Sequence, residues 1–303
     1  MSRHSFRTAH SVDRWLAIVN PNSGQFTSSG FEQQWMPELQ KLVEDVVLTD
    51  GPGVATRYAQ QSNEYDGIVV VGGDGTILEV IAGMQRERQR LATIPTGRGN
   101  CLARDLGIKT VADGLHVLRN GNDTAIDLMQ ANISFGDGSR ADYLSASTIA
   151  LGYAVTVVER ASSVRAAGKH GYALATLLTP PKSFSCHLSI ADSAAGDRTC
   201  TGVVINNTVS LANFQAFKDA RLQDGLADVL ILSVGWLRQI LHNLSLLTGF
   251  GFYEAGKRSQ TRSISIALTS PQTLMVDGQL LPNVIALSVE CIPEALWCRQ
   301  YIE

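Results

Sequence analysis

Short apolar runs and amphipathic stretches alternate along the first third of the chain. Residues 15–19 (Trp-Leu-Ala-Ile-Val) are wholly apolar and stop at Asn20-Pro21-Asn22-Ser23-Gly24, a cluster of turn formers. Residues 46–48, 68–71 and 91–94 are similar runs. Stretches 31–43, 53–61 and 77–88 fall after the first, second and third of them and read as helices. Strands without polar alternation are buried on both faces. Alternating with helices, they predict a parallel sheet covered on both sides. Residues 1–122 are therefore expected to form an α/β domain on a parallel sheet.

The pattern changes near Asn120-Gly121-Asn122-Asp123. Strand-like runs dominate from there: 125–133, 141–150, 186–191, 201–206, 229–234, 263–268, 273–276 and 285–289. Turn signals such as Phe135-Gly136-Asp137-Gly138 and Ala195-Gly196-Asp197 separate them. Two helical stretches interrupt, 155–178 and 236–247. Residues 123–303 are expected to form a second, β-rich, sandwich-like domain whose C-terminal tail packs back on the first. Clefts between domains are common ligand sites.

Bulk composition narrows the partners. A net charge of −3 gives no general attraction to nucleic acid. The five cysteines, at 101, 186, 200, 291 and 298, show no C-x-x-C pair or zinc spacing, which favours a reduced, cytoplasmic protein. Residues 1–14 are polar, without the apolar core of a signal peptide, and no run of 18 apolar residues predicts a membrane span. Oligomeric state is not legible.

Two glycine-rich stretches carry the candidate chemistry. Val71-Gly72-Gly73-Asp74-Gly75-Thr76 follows the apolar run at 68–71, and Pro95-Thr96-Gly97-Arg98-Gly99-Asn100 follows that at 91–94. Glycine allows close approach of the backbone, and amides at such turns form anion sites. Asp74 would repel phosphate there unless it meets Mg²⁺ or takes a proton, so an acid in this turn points to phosphoryl transfer. Either stretch alone reads as a strand-to-helix turn. Two on successive parallel strands face one crevice.

Three further features join them: Asn20 to Gly24, Asp224-Gly225-Leu226-Ala227-Asp228-Val229, and Val276-Asp277-Gly278-Gln279. Singly each is explained as a turn. In this order, from Asn20 to about Asp277, they resemble the diacylglycerol kinase catalytic-domain family, which includes bacterial lipid kinases and sphingosine kinases. Gly72 to Val80 is similar to that family's Gly-Gly-Asp-Gly-Thr-x-Asn-Glu-Val signature, and Pro95 to Asn100 to its adjacent Pro-x-Gly-Thr-Gly-Asn segment. The resemblance implies an ATP-dependent kinase acting on a hydroxyl of a lipid or lipid-like acceptor, diacylglycerol or a long-chain base. Residues 1–122 would then be the nucleotide-binding domain, and 123–303 would receive the acceptor. Nucleotide-binding residues would be Asn20, Ser23, Gly72, Gly73, Gly75, Thr76, Glu79, Thr96, Gly97, Arg98 and Asn100. Catalytic residues would be Asp74, Asp277 and Gln279. Mg²⁺ would accompany ATP, and Asp224 maps to an acid of the family's structural metal site.

The chain departs from the family at several of these positions. Gln279 stands where the family has Glu as proposed general base, and a carboxamide takes no proton at neutral pH. Leu78 replaces Asn, Arg98 replaces Thr or Ser, and Cys101 stands where many bacterial relatives have Asp. The family's glycine triplet is absent around Val209-Ser210-Leu211-Ala212-Asn213-Phe214. Lys169-His170-Gly171-Tyr172 reads as a phosphate or headgroup contact or as a solvated helix face, and 236–252 as an acyl-chain lining, a transient membrane-surface contact or packed core. Two other readings stay open: an NAD-kinase-like enzyme with a non-lipid acceptor, and a nucleotide-binding regulatory protein with weakened catalysis.

Overall fold

The computed structural model describes residues 13–163, 179–191, 194–211, 214–215, 217–233, 235 and 256–301. Residues 169–172 and 236–252, singled out from the sequence, lie outside the described residues. Among those described, no helix is long and apolar enough to cross a membrane.

The first half is the expected α/β domain. Its strands are β1 (Trp15–Val19), β2 (Asp45–Leu48), β3 (Gly67–Gly72) and β4 (Arg90–Pro95), with helices α1 (Met36–Leu39), α2 (Val54–Gln60), α3 (Asp74–Gly83), α4 (Cys101–Asp105) and α5 (Val111–Asn120). The strands are parallel, in the order β2-β1-β3-β4. Successive side chains alternate between faces. Leu16, Ile18, Ile68 and Val70 therefore pack with Ile77, Val80 and Ile81 of α3. On the other face, Trp15, Ala17, Val19, Val69 and Val71 pack with Leu115 and Leu118 of α5. This two-sided burial explains the apolar runs.

Two helices differ from expectation. Stretch 31–43 is a π-helical turn, Phe31–Trp35, followed by the four-residue α1, whose second residue is Pro37. A proline lacks the N–H of a helix interior and is tolerated in the first turn, so the helix restarts there. The helix expected at 77–88 begins three residues earlier, at Asp74, and ends at Gly83. The glycine loop is thus continuous with the helix N-terminus.

The second half is strand-rich: β5 (Asn122–Phe135), β6 (Arg140–Ser145), β7 (Thr148–Gly152), then α6 (Tyr153–Ser163), β8 (Phe184–Ile190), β9 (Gly196–Cys200), β10 (Gly202–Asn206), β11 (Ser210–Leu211), β12 (Phe214–Gln215), β13 (Ala227–Leu232), β14 (Gly256–Thr261), β15 (Ser263–Val276) and β16 (Gln279–Gln300). Antiparallel ladders run β14-β13-β10-β7-β15-β16, with β8 and β9 on one half of β15 and β5 and β6 on β16. Ile149, Val203, Val229, Ile264, Leu274 and Leu287 meet in one core between these strands.

Three strand expectations are corrected. The single run at 141–150 is two strands, because Ala146 and Ser147 leave the ladder to donate hydrogen bonds to Asp277. The two runs at 263–268 and 273–276 are one strand, bent where its register on β16 shifts between Ala267 and Gln272. The turn expected at 195–197 instead opens β9, paired with β8.

β16 joins the halves. It pairs with β15 and β5, and its end runs parallel to β4, with Trp297 opposite Arg90. Arg90 and Arg299 hold this junction by stacking their guanidinium groups over Trp15, at 5.3 and 5.5 Å. Both also pair with Asp13, at 2.6 and 3.3 Å, and with Asp123, at 3.0 and 3.2 Å.

Candidate active site

The ends of β1, β3 and β4 are stitched together by main-chain bonds. Asn20 N donates to Val71 O at 2.9 Å, Thr96 N to Gly72 O at 3.0 Å, and Gln25 N to Thr96 O at 2.7 Å. Side chains add to this. Asn20 Nδ2 donates to Thr76 Oγ1 at 3.0 Å, while Asn20 Oδ1 accepts from Asn22 N at 3.0 Å. The hydroxyls of Ser23 and Thr96 meet at 2.6 Å. The three loops thus form one surface at the carboxyl ends of neighbouring strands.

Glycine is needed here for packing as well as for exposing amides. A Cβ on Gly73 would lie 2.9 Å from Gly97 Cα, and one on Gly97 would lie 2.4 Å from Gly73 Cα. The two loops touch glycine to glycine. A Cβ on Gly72 would strike Thr76 at 2.7 Å. Gly75 differs: it is exposed, with nothing within 4 Å of the position a Cβ would take. Asn100 sits in the left-handed region at φ 51° and donates from Nδ2 to Gly97 O at 2.9 Å. Its Oδ1 is buried and has no hydrogen-bond partner among the described residues. Arg98 is exposed and its stem crosses Gly24, where a Cβ would meet Arg98 Cγ at 2.6 Å.

Asp74 starts α3, and its Oδ1 accepts from Cys101 N, at the start of α4, at 2.8 Å. Burial pushes its carboxyl up to about 6, the charge of Asp277 adds to that push, and the amides of Leu102, Cys101 and Asn100 oppose it. The loops therefore bring Asp74 together with Asn20, Ser23, Gly72, Gly73, Thr76, Thr96, Gly97 and Asn100. Glu79 lies half-buried farther along α3, where its carbonyl accepts from Thr56 Oγ1 at 2.9 Å. Leu78 turns the other way and joins the core of the second half, 4% exposed. Leu78 is thus an apolar contact between the two halves.

Asp277 and Gln279 come from the β15–β16 hairpin. Val276 pairs with Gln279 across the two-residue turn Asp277-Gly278, with φ of 45° and 90°. Positive φ at both turn residues suits the strand twist of a tight hairpin. The Asp277 carboxylate is 4% exposed and accepts from Ser145 Oγ (2.8 Å), Ala146 N (2.9 Å), Ser147 N (3.1 Å), Ser147 Oγ (2.7 Å) and Thr148 N (2.6 Å). Burial raises its proton affinity and these donors oppose the rise. Asp277 holds the kink between β6 and β7. Gln279 is exposed at the mouth of the hairpin.

Asp224 finds no ligand set. Among the described residues, no three His, Cys, Asp or Glu side chains gather as a metal would need. Asp224 is exposed, and its Oδ1 accepts from Leu226 N at 3.0 Å. The buried acid nearby is Asp127, which accepts from Gly225 N at 2.7 Å and Glu294 N at 2.8 Å and so fastens this turn to β16. Asp228 is pushed up to about 6 by burial, with the Asp224 charge adding. The turn is built from backbone amides and acids that already have partners, and it does not fit Mg²⁺.

Sequence reasoning missed Ser145, Ser147, Thr148, Asn206, Asp127 and Asp105. One signal was available. Asn206-Asn207-Thr208 directly follows the buried apolar run Val203-Val204-Ile205, and all three polar residues are 0% exposed. A polar run continuing a buried strand must be satisfied by something distant.

The chain is similar in sequence and fold to known proteins. Residues 14–131 match the diacylglycerol kinase catalytic domain. A diacylglycerol kinase of Staphylococcus epidermidis is 25% identical over 278 residues, 86% of this chain and 84% of that protein. One from Staphylococcus saprophyticus is 26% identical over 277 residues, 86% of this chain and 87% of its own. The crystal structure of a diacylglycerol kinase from Bacillus anthracis superposes with a TM-score of 0.75 at 21% identity, over 97% of this chain and 99% of that one, and shows the shared fold. Segment 14–131, which carries the two glycine loops and Asp74, is thus similar to the diacylglycerol kinase catalytic domain.

Proposed function

We propose that this chain transfers the γ-phosphoryl group of ATP to a hydroxyl of a lipid or lipid-like acceptor. One observation carries the reading. Two glycine loops meet at the ends of adjacent parallel strands, with Asp74 between them and close enough to Asp277 of the second half to feel its charge. The triphosphate lies over the loop surface at Asn20, Ser23, Gly75 and Asn100. Arg98 offers a guanidinium for bidentate phosphate contact. Mg²⁺ enters with ATP as part of the substrate and neutralises phosphate charge. Phosphoryl transfer depends on positioning and charge neutralisation more than on covalent help.

Asp74 is the acid suited to take the acceptor's proton. Burial raises its proton affinity, and a general base works best with a pKa near the working pH. The Asp277 carboxylate already has five donors, so its part is to fix the β6–β7 kink beside Asp74. Gln279 orients the acceptor by hydrogen bonding. The acceptor enters from the second half, and the chain works in the cytoplasm, in transient contact with a membrane surface where its acceptor is a bilayer lipid.

The test is a product analysis. The protein, Mg²⁺ and isotopically labelled ATP are incubated with a cell lipid extract, and the lipids are examined by mass spectrometry. Label in a lipid phosphate supports the reading. Label in a soluble nucleotide cofactor favours the NAD-kinase-like alternative. Nucleotide binding without transfer favours the regulatory one.

A further inference from the structure

A chain of polar contacts links the two halves. It leaves Asp74 through Cys101 N at the start of α4. At the other end of the same helix, the Asp105 carboxylate accepts from Val209 N, and the nearby Ser210 amide and hydroxyl favour its charge. Thr208 Oγ1 donates to Ser210 O at 2.8 Å, and Asn206 Nδ2 donates to Thr208 O. Thr148 Oγ1 donates to Asn206 Oδ1 at 2.5 Å, and Thr148 N donates to Asp277 Oδ1 at 2.6 Å. The charge of Asp277 in turn raises the proton affinity of Asp74. Ser210, Thr208, Asn206, Thr148 and Asp277 are all buried.

Helix α4 is five residues long, too short to hold a position by its own hydrogen bonds. Leu102 and Ala103 seat one face of it in the core of the first half. Its tilt is set by what holds its ends. Placing a carboxylate at a half-buried position costs free energy unless hydrogen bonds offset it. The donors that offset it at Asp105 come from the second half of the chain. They sit where the family's glycine triplet is missing.

We propose that Asp105 is a positioning residue. It anchors α4 to Val209–Ser210 and thereby holds the Cys101 amide against Asp74 Oδ1, coupling the acceptor side of the cleft to the acid on the nucleotide side. It touches no reactant. The kinetic part of the test rests on the kinase reading; the exchange part does not.

Full-length Asp105→Ala and Asp105→Asn are compared with wild type by steady-state kinetics and by amide hydrogen exchange resolved to Cys101. Asp105→Ala is expected to lower kcat at least tenfold while changing KM for ATP less than threefold. Its Cys101 amide should exchange at least tenfold faster. Asp105→Asn keeps an oxygen for Val209 N and should return both quantities to within threefold of wild type. Unchanged Cys101 exchange in Asp105→Ala overturns the proposal, as does equal loss in the Asn and Ala variants. If wild type phosphorylates no lipid, the kinase reading fails and exchange alone decides. If Asp105→Ala does not fold, Ser210→Ala replaces it, with an expected two- to threefold change in the same direction; no change there overturns the proposal.

Discussion

The glycine loops and the hairpin of the candidate site are built by opposite means. At the loops the backbone makes the surface: Gly73 and Gly97 touch, and side chains bond mostly to neighbouring loop atoms. At the hairpin a buried side chain makes it: the Asp277 carboxylate gathers five donors from Ser145 to Thr148. A surface of loop amides can receive a ligand's charge. A carboxylate whose donors are all internal is already committed. On the proposed reading, chemistry therefore falls to Asp74 and architecture to Asp277, although both are acids with raised proton affinity.

The contrast can be broken most sharply at Asp277. Asp277→Ala should cost about 3–5 kcal/mol in urea unfolding. Each buried donor left without a partner costs about 1–3 kcal/mol, and water entering the vacated space recovers part of that. Asp277→Asn should cost less, since one oxygen remains to accept. A loss below about 1 kcal/mol for the Ala variant would mean that the kink stands without its carboxylate, and the division of roles would collapse.

Asp74 should respond in the reverse way. Asp74→Asn is expected to lower kcat by roughly 10²–10⁴-fold, the usual range for a lost general base. Its stability should rise at pH 7. The sign follows from linkage: the folded protein binds the Asp74 proton more tightly than the unfolded chain, whose carboxyl has the ordinary value of 3.8. Stability from this group is complete below about 3.8 and is lost as pH rises through about 6. The gain from Asn in thermal unfolding should therefore be largest at pH 7 and vanish toward pH 4. In wild type, kcat should fall as pH drops below about 6, where Asp74 becomes protonated. A pH-independent gain, or an unchanged kcat, would place the charge elsewhere.

The glycine loops were more legible in the sequence than the hairpin at Asp277, and contact range explains why. β1 has the expected limits because its apolar run is buried on both faces and ends at a turn cluster. The glycine loops were legible because their partners lie close along the chain: Asp74 reaches Cys101 across 27 residues. Asp277 reaches Ser145 across 132. Nothing in the run 141–150 marks Ala146 and Ser147 as the place where a strand must break, since the cause lies on another hairpin. β16 is expected from the sequence only at its centre, because Pro282-Asn283 and Pro293-Glu294 interrupt its apolar pattern on either side. Asp105 meets Val209 across 104 residues, so nothing local in the sequence marks it.

A smaller effect separates two uses of glycine within the same loop. Gly73→Ala pushes a methyl against Gly97 and should cost about 1–3 kcal/mol, the usual range for overpacking. Gly75→Ala meets open space in a helical position and should be neutral or stabilising by up to about 1 kcal/mol. If the triphosphate lies over Gly75, that same methyl should weaken ATP binding about tenfold in calorimetry. Equal ATP affinity in Gly75→Ala and wild type would move the phosphates off this part of the loop.

The smallest expected effect is at Gln279, and it decides between an impaired site and a rewired one. Gln279 is exposed at the mouth of the hairpin, beside the Asp277-Gly278 turn. A glutamate there would be solvated and ionised at neutral pH, so stability should hardly change. If the missing carboxylate limits turnover, Gln279→Glu should raise kcat several-fold with little change in KM, because proton removal belongs to the transition state. If Asp74 already takes the proton, the added charge repels phosphate and raises the proton affinity of its neighbours instead. Turnover should then stay within threefold of wild type or fall. The second outcome is expected, because Asp74 already has both a raised proton affinity and amides that fix its position. A several-fold rise would return the general base to position 279 and leave Asp74 the task of orienting the acceptor hydroxyl.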